Sequence, residues 1–70
     1  MTAQTKAKLT RQANKASWRL CDRYVQRKLK GSCPGCRLID AVDERDYTTM
    51  KRIVSKYQRI VAQEVVRSTR

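Results

Sequence analysis

A chain of 70 residues and 8.2 kDa has room for one small domain, and a catalytic cleft with its own supporting shell is hard to fit into it. Its 17 Lys and Arg residues against 6 Asp and Glu residues give a net charge of +11, which favours a polyanionic or acidic partner. The chain has no His, so it lacks the commonest general base and the commonest zinc ligand.

The first predicted element is a helix from about Leu9 to Lys30. At about 100° per residue its apolar side chains fall in one narrow arc, made up of Leu9, Ala13, Ala16, Leu20 and Tyr24. Gly31 follows the last periodic residue and suits a left-handed helix stop. Residues 1–7 carry no apolar anchor, so we expect a flexible tail before one helical domain over 8–67, and a flexible C-terminus over 68–70.

The next predicted feature is a turn at Pro34-Gly35, because Pro followed by Gly strongly favours a turn. The apolar residues after it have the spacing of a short helix over about 38–44 with one apolar side. These residues are Leu38, Ile39, Ala41 and Val42.

The last predicted element is a helix over about 47–67, whose apolar residues follow the i, i+3, i+4, i+7 spacing. These residues are Met50, Ile53, Val54, Tyr57, Ile60, Val61 and Val65. Asp46 is its expected N-cap. The predicted fold class is therefore all-α, a small domain of two long antiparallel helices joined by the Pro-Gly turn and the short helix.

Three cysteines are candidate metal ligands. Cys33 and Cys36 have the spacing of half a zinc site, and Cys21 on the first helix is a third ligand. A fourth is missing unless Asp40 or Asp43 serves, and carboxylates are uncommon in structural sites. We expect no resident cofactor, with Cys21 as a small core residue and the other two as free thiols; zinc on all three is the alternative.

Basic residues form a stripe on the first helix, on a face away from its apolar arc. A helix face that is merely soluble mixes both signs of charge, whereas residues 1–30 hold nine basic residues and one acid, Asp22. Trp18 lies at the edge of this stripe, where it can anchor a partner, stack on a base or cover the end of the core. The predicted partner-binding or nucleic-acid-binding residues are Lys8, Arg11, Lys15, Trp18, Arg19, Arg23, Arg52, Lys56 and Arg59.

No catalytic residue is predicted. Paired carboxylates occur only in the acidic run over residues 40–46, and no Gly-rich phosphate loop is present. No stretch approaches the roughly 18 apolar residues of a membrane span, and the N-terminus lacks the apolar core of a secretory signal. An odd number of cysteines fits a reducing compartment. We therefore expect a cytoplasmic, non-enzymatic protein that has no membrane partner.

In its style the whole chain resembles the small, basic, helical regulators that bacteriophages encode to act on host transcription. The features that carry this resemblance are the size, the charge of +11, the Lys8–Arg23 stripe, the Cys33-Pro-Gly-Cys36 segment and the acidic run over 40–46. The resemblance implies a protein of the host cytoplasm that binds host RNA polymerase and inhibits initiation or alters elongation or termination.

Our first functional hypothesis is therefore a monomeric transcription regulator that docks on host RNA polymerase by charge complementarity. The alternative is a small basic protein that binds DNA or RNA directly through phosphates. A third hypothesis, from another class, is an interaction module stabilised by zinc with no role on nucleic acid.

Overall fold

The computed structural model of the protein describes residues 2–27, 29 and 31–68. Over these residues all regular structure is helical, so the all-α class is confirmed. Four helices follow in chain order: α1 (Ala3–Val25), α2 (Pro34–Glu44), α3 (Tyr47–Lys56) and α4 (Gln58–Ser68). Two long helices and a short one were predicted. The structure instead has one helix of 23 residues and three helices of 10 or 11 residues. Among the described helices, none is both long and apolar enough to cross a lipid bilayer.

The long helix α1 begins at Ala3, six residues before the predicted start. Thr2 caps it, because its side-chain oxygen accepts a hydrogen bond from the backbone N–H of Thr5 at 3.2 Å. Residues 3–7 of the expected tail are therefore helical, and the Nζ atom of Lys6 lies 5.2 Å from the centroid of the Tyr47 ring on α3. Met1, Thr69 and Arg70, also expected to be flexible, lie outside the described residues.

The C-terminal end of α1 lies at Val25, so the predicted stop at Gly31 is wrong. The backbone N–H of Gln26 closes the helix on the carbonyl of Asp22 at 3.0 Å, and Arg27 then adopts a left-handed conformation with φ of 61°. Arg27 thus adopts the left-handed conformation that glycine usually adopts at a helix end. Gly31 also has a positive φ, of 90°, but it lies within the connection to α2. Residues 28 and 30, inside the predicted helix, lie outside the described residues.

The second helix begins at Pro34, so the predicted Pro-Gly turn is in fact the first turn of α2. Proline is favoured there, because the N–H that it lacks would have no partner within the helix. Cys33 is the N-cap, and its Sγ accepts the backbone N–H of Cys36 at 3.5 Å. At the other end Arg45 is left-handed, with φ of 55°, and the N–H of Asp46 bonds to the carbonyl of Ala41 at 2.8 Å.

The predicted helix over 47–67 is interrupted at Tyr57, which has φ of −111° and ψ of 37°. Its N–H still donates to the carbonyl of Ile53, and its carbonyl still accepts the N–H of Val61, each at 3.0 Å, so α4 follows α3 without a loop. Both halves bury side chains: Met50 and Ile53 from α3, and Val61 from α4. β-branched residues give this segment modest helix propensity, so packing decides where it bends.

The core lies between α1 and the three shorter helices, because α1 packs against each of them. Its buried apolar residues are Leu9, Ala13, Ala16, Leu20, Leu38, Ala41, Met50, Ile53 and Val61. This set confirms most of the predicted apolar faces, with exceptions at Tyr24, which is 36% exposed in the last turn of α1, and at Ile39, which is 44% exposed on α2. The alanines in the middle of α1 leave room for neighbouring helices to approach its backbone.

The N-cap of α3 is Asp46, as predicted. Its carboxylate accepts the Thr49 hydroxyl at 2.6 Å and the Thr49 backbone N–H at 3.2 Å. These hydrogen bonds favour the ionised form, and they lower the pKa of Asp46 below its usual value.

The cap makes the stability of the protein depend on pH in the acid range. The folded-state pKa of Asp46 is depressed, so the ionised carboxylate stabilises the folded state. This stabilisation is fully present above the unfolded pKa of about 4 and is lost as pH falls through the folded-state pKa. We expect wild type to lose thermal stability relative to Asp46→Asn on acidification, since asparagine caps without titrating. Melting curves from neutral to acid pH check this, and Asp43→Asn, at an exposed position of α2, is the control. Parallel pH profiles for wild type and Asp46→Asn would contradict it.

Candidate metal centre and cationic groove

Three cysteines from two helices meet at the junction between α1 and α2. Cys21 lies in the C-terminal part of α1, Cys33 caps α2, and Cys36 follows in the first turn of α2. Their Sγ atoms all lie within 4.8 Å of one another, and those of Cys21 and Cys36 are 4.0 Å apart. The three candidate ligands predicted from the sequence are therefore brought together, in an arrangement that could hold a metal ion.

The three thiols shift one another's pKa values. Burial raises the pKa of Cys33, but hydrogen bonds outweigh it, chiefly that from the backbone N–H of Cys36, and the net shift is downward. The pKa of Cys36 is raised to about 11, because hydrogen bonds first to Cys33 and then to Cys21 favour its protonated form. The pKa of Cys21 is also raised, mainly by its hydrogen bond with Cys33. Cys33 is thus the thiol of the cluster that ionises first.

A glycine at the start of α2 allows the two helices to meet. A Cβ atom on Gly35 would lie 2.2 Å from the carbonyl oxygen of Ser17 and 2.5 Å from the backbone nitrogen of Cys21. Both are backbone atoms of α1, so no side-chain movement could make room. The first turn of α2 consequently rests on the backbone of α1, and the cysteines on either side of the glycine stand beside Cys21.

No carboxylate joins the cysteine cluster among the residues that the structure describes. Asp40, one of the two candidates for a fourth ligand, lines a surface depression with Asp46 and Thr49 on the side facing α3. Asp43 is exposed on α2. The described part of the chain therefore supplies three sulfur ligands.

A second site lies along the N-terminal half of α1, where two surface depressions share Lys8 and Gln12. One lies between α1 and α3 and also includes Lys51, while the other reaches α4 and also includes Arg11 and Lys15. We call the two together the cationic groove, lined by Thr5, Lys8, Leu9, Arg11, Gln12, Lys15, Lys51, Val54, Ser55 and Val65.

The charge of the cationic groove is of one sign. It carries three of the predicted binding residues, Lys8, Arg11 and Lys15, together with Lys51. Among the described residues none of these four cations makes an ion pair, and no acid lines the groove. Lys51 was not predicted, because only the packing of α3 on α1 brings it beside Lys8.

The C-terminal half of the predicted basic stripe has a different environment. Arg19 lies 3.6 Å from Glu64 of α4 and 3.8 Å from Asp22, so it links two helices. Glu64 is 4% exposed and also pairs with Arg67 at 3.7 Å. The Nε atom of Arg23 is buried with no hydrogen-bond partner among the described residues. Arg19 and Arg23 are thus half-buried and differ in environment from the exposed Lys8 and Arg11, and their part in binding stays a prediction.

The basic residues predicted on the last helix are also divided. Arg52 and Lys56 of α3 line a depression with Arg37 of α2 and the connection at Gly31 and Ser32. Arg59 is exposed on α4, past the break at residue 57. These residues lie apart from the cationic groove, and Arg37 was not predicted because only the packing of α2 on α3 brings it beside Arg52 and Lys56.

Trp18 is 54% exposed, so it does not close the end of the core. The guanidinium carbon of Arg19 lies 5.9 Å from the centroid of its ring. Arg19 also lines a shallow depression with Ala62, Gln63 and Val66, and Val66 is 58% exposed. A tryptophan, an arginine and an exposed valine thus lie on the surface near the contact of α1 with α4.

Comparison of the chain with protein families, with curated proteins and with solved structures gives no match.

The close contact at Gly35 predicts a severe effect of one methyl group. We expect Gly35→Ala to lower the free energy of unfolding by about 1–3 kcal/mol, because the added Cβ overlaps the backbone of α1. The matched control is Gly31→Ala, where nothing lies within 4 Å and only the left-handed backbone costs energy, about 1 kcal/mol. Urea unfolding followed by circular dichroism measures both. A Gly35→Ala protein as stable as wild type would rule out the close approach of α2.

Proposed function

We propose that this chain is a non-enzymatic protein that binds nucleic acid through its phosphates at the cationic groove. The observation that carries the proposal is the set of four lining cations, Lys8, Arg11, Lys15 and Lys51, without an ion pair or an acidic neighbour in the described groove. Holding like charges together is unfavourable by itself, and a polyanion relieves that repulsion. The net charge of +11 adds long-range attraction.

The composition of the groove favours recognition of the phosphate backbone over recognition of bases. Its polar lining consists of flexible Lys and Arg side chains, with Gln12, Thr5 and Ser55 between them. Such contacts position a protein on nucleic acid and carry little sequence information. In this proposal the cysteine cluster supports the fold, and the protein acts by occupying nucleic acid during transcription.

Binding of a short labelled DNA duplex, followed by fluorescence anisotropy at increasing salt, tests this proposal. Each phosphate contact that is lost reduces the slope of log K against log salt by about 0.9, or about 0.7 for a single strand. We expect Lys8→Ala, Arg11→Ala, Lys15→Ala and Lys51→Ala each to reduce the slope by this amount.

The matched control is Arg45→Asn, which removes the same charge at the α2–α3 junction, where asparagine tolerates the left-handed backbone. We expect its salt slope to stay that of wild type. No binding of duplex or single strand at low salt would overturn the proposal. So would a control that weakens binding as much as the groove variants do.

A second candidate function is docking on host RNA polymerase, and the exposure of Trp18 beside Arg19 favours it. Tryptophan and arginine are the residue types that most often dominate protein interfaces. Trp18 would act as the anchor, and the surrounding positive charge would speed association.

Retention of purified bacterial RNA polymerase on the immobilised protein in the presence of nuclease tests this candidate. We expect Trp18→Ala to abolish retention and Lys51→Ala to preserve it. If polymerase is retained only while nucleic acid remains intact, the contact is through nucleic acid and this second candidate is wrong.

A further inference from the structure

We infer that the cluster of Cys21, Cys33 and Cys36 is a zinc site with three thiolate ligands from the chain and a fourth position open to solvent. This inference is independent of nucleic-acid binding. In a tetrahedral site with Zn–S bonds of about 2.3 Å, two thiolate sulfurs lie about 3.8 Å apart. The Sγ atoms of Cys21 and Cys36 are 4.0 Å apart, and all three lie within 4.8 Å. Small side-chain rotations therefore bring the three sulfurs to the separation that a tetrahedral zinc ion requires.

The burial of these cysteines argues against an ordinary packing role. Cysteine used as a small apolar residue is among the most buried residue types. Here Cys36 is exposed, and Cys21 and Cys33 are half-buried. A disulfide accounts for only two of the three, whereas one zinc ion accounts for all of them.

The backbone around the cluster is built to hold the sulfurs together. Cys33 is fixed as the N-cap of α2, and Pro34 restricts the backbone that follows it. Gly35 permits the contact with α1 that a Cβ atom would prevent. Each residue of the segment Cys33-Pro34-Gly35-Cys36 thus has a part in presenting two sulfurs to Cys21.

The ligand set selects the class of metal. Thiolates are soft ligands that suit zinc, whereas magnesium and calcium take oxygen ligands. The exposed Cys36 gives an ion access from solvent, and it leaves the fourth position beside water. Binding one zinc ion releases the protons of the thiols to solvent, so the apparent affinity rises with pH. The ion joins α1 to the first turn of α2 and stabilises the folded chain.

Cobalt(II) is the probe for the first test, with the full chain kept reduced and freed of metal by a chelator. We expect one equivalent per chain to give thiolate-to-cobalt charge-transfer bands and the visible bands of a tetrahedral ion, and one equivalent of zinc to displace it. Cys21→Ser, Cys33→Ser and Cys36→Ser should each lose this spectrum. Ser32→Ala, a substitution beside the same segment that removes no ligand, should retain it.

The result for Cys21→Ser decides whether the site joins two helices. If Cys21→Ser keeps the wild-type spectrum and affinity, the metal binds only the pair in α2, and the three-ligand site is wrong. Absence of stoichiometric binding by wild type also overturns the inference. Addition of a small thiol should shift the cobalt bands, since it can enter the fourth position. Bands that do not respond would show that the site is closed and would contradict the open position.

Protection from alkylation tests the inference without relying on variants that fail to fold. Wild-type protein is treated with a thiol-alkylating reagent with zinc or with chelator, and the modified cysteines are counted by mass spectrometry. We expect zinc to protect all three cysteines and the chelator to expose them. Protection of only two cysteines, or of none, would overturn the three-thiolate site.

Discussion

The contact between the first turn of α2 and the backbone of α1 determines how the rest of the molecule is arranged. It depends on Gly35, because any side chain there would overlap backbone atoms of α1. From this point α2 runs along α1 and places Leu38 in the core, fully buried. The same contact sets Cys33 and Cys36 beside Cys21. One close approach between helices therefore supports both the core of a very small domain and the site that we assign to zinc.

The basic residues of α1 lie in two different environments. In the C-terminal half, Arg19 pairs with the buried Glu64 of α4 and thereby holds a short helix in place. In the N-terminal half, Lys8, Arg11 and Lys15 line a groove without acidic neighbours among the described residues. Burying Glu64 is tolerated because cations compensate its charge. The charge that is compensated within the fold is thus distinct from the charge through which we propose that nucleic acid binds.

Structural features that depend on residues close in the sequence were predictable, whereas features that depend on packing between helices were not. The Asp46 cap and the apolar faces follow from side chains a few residues apart; the cap is observed, and so are the apolar faces apart from Tyr24 and Ile39. The interruption at Tyr57 follows from how α3 and α4 pack on α1, which no local pattern encodes. The cysteines were predictable as a set of candidate ligands, but their geometry depends on Gly35, whose role is visible only when α1 lies beside it. Glu64 did carry a signal, since it lies three residues after Val61 and seven after Tyr57, on the apolar face.

The proposed zinc site and the cationic groove lie at different places along α1. Cys21 is 13 residues from Lys8, which corresponds to about 20 Å along the axis of α1. Zinc on three thiolates carries a single net negative charge, and at physiological salt such a charge is screened beyond about 8 Å. A bound ion would therefore have little direct electrostatic influence on the far end of the groove. Its influence would be mechanical, because a bound ion would join α2 to α1, and α3, which carries Lys51 into the groove, packs against both. Zinc would thus act on binding by maintaining the packing that gathers the cations.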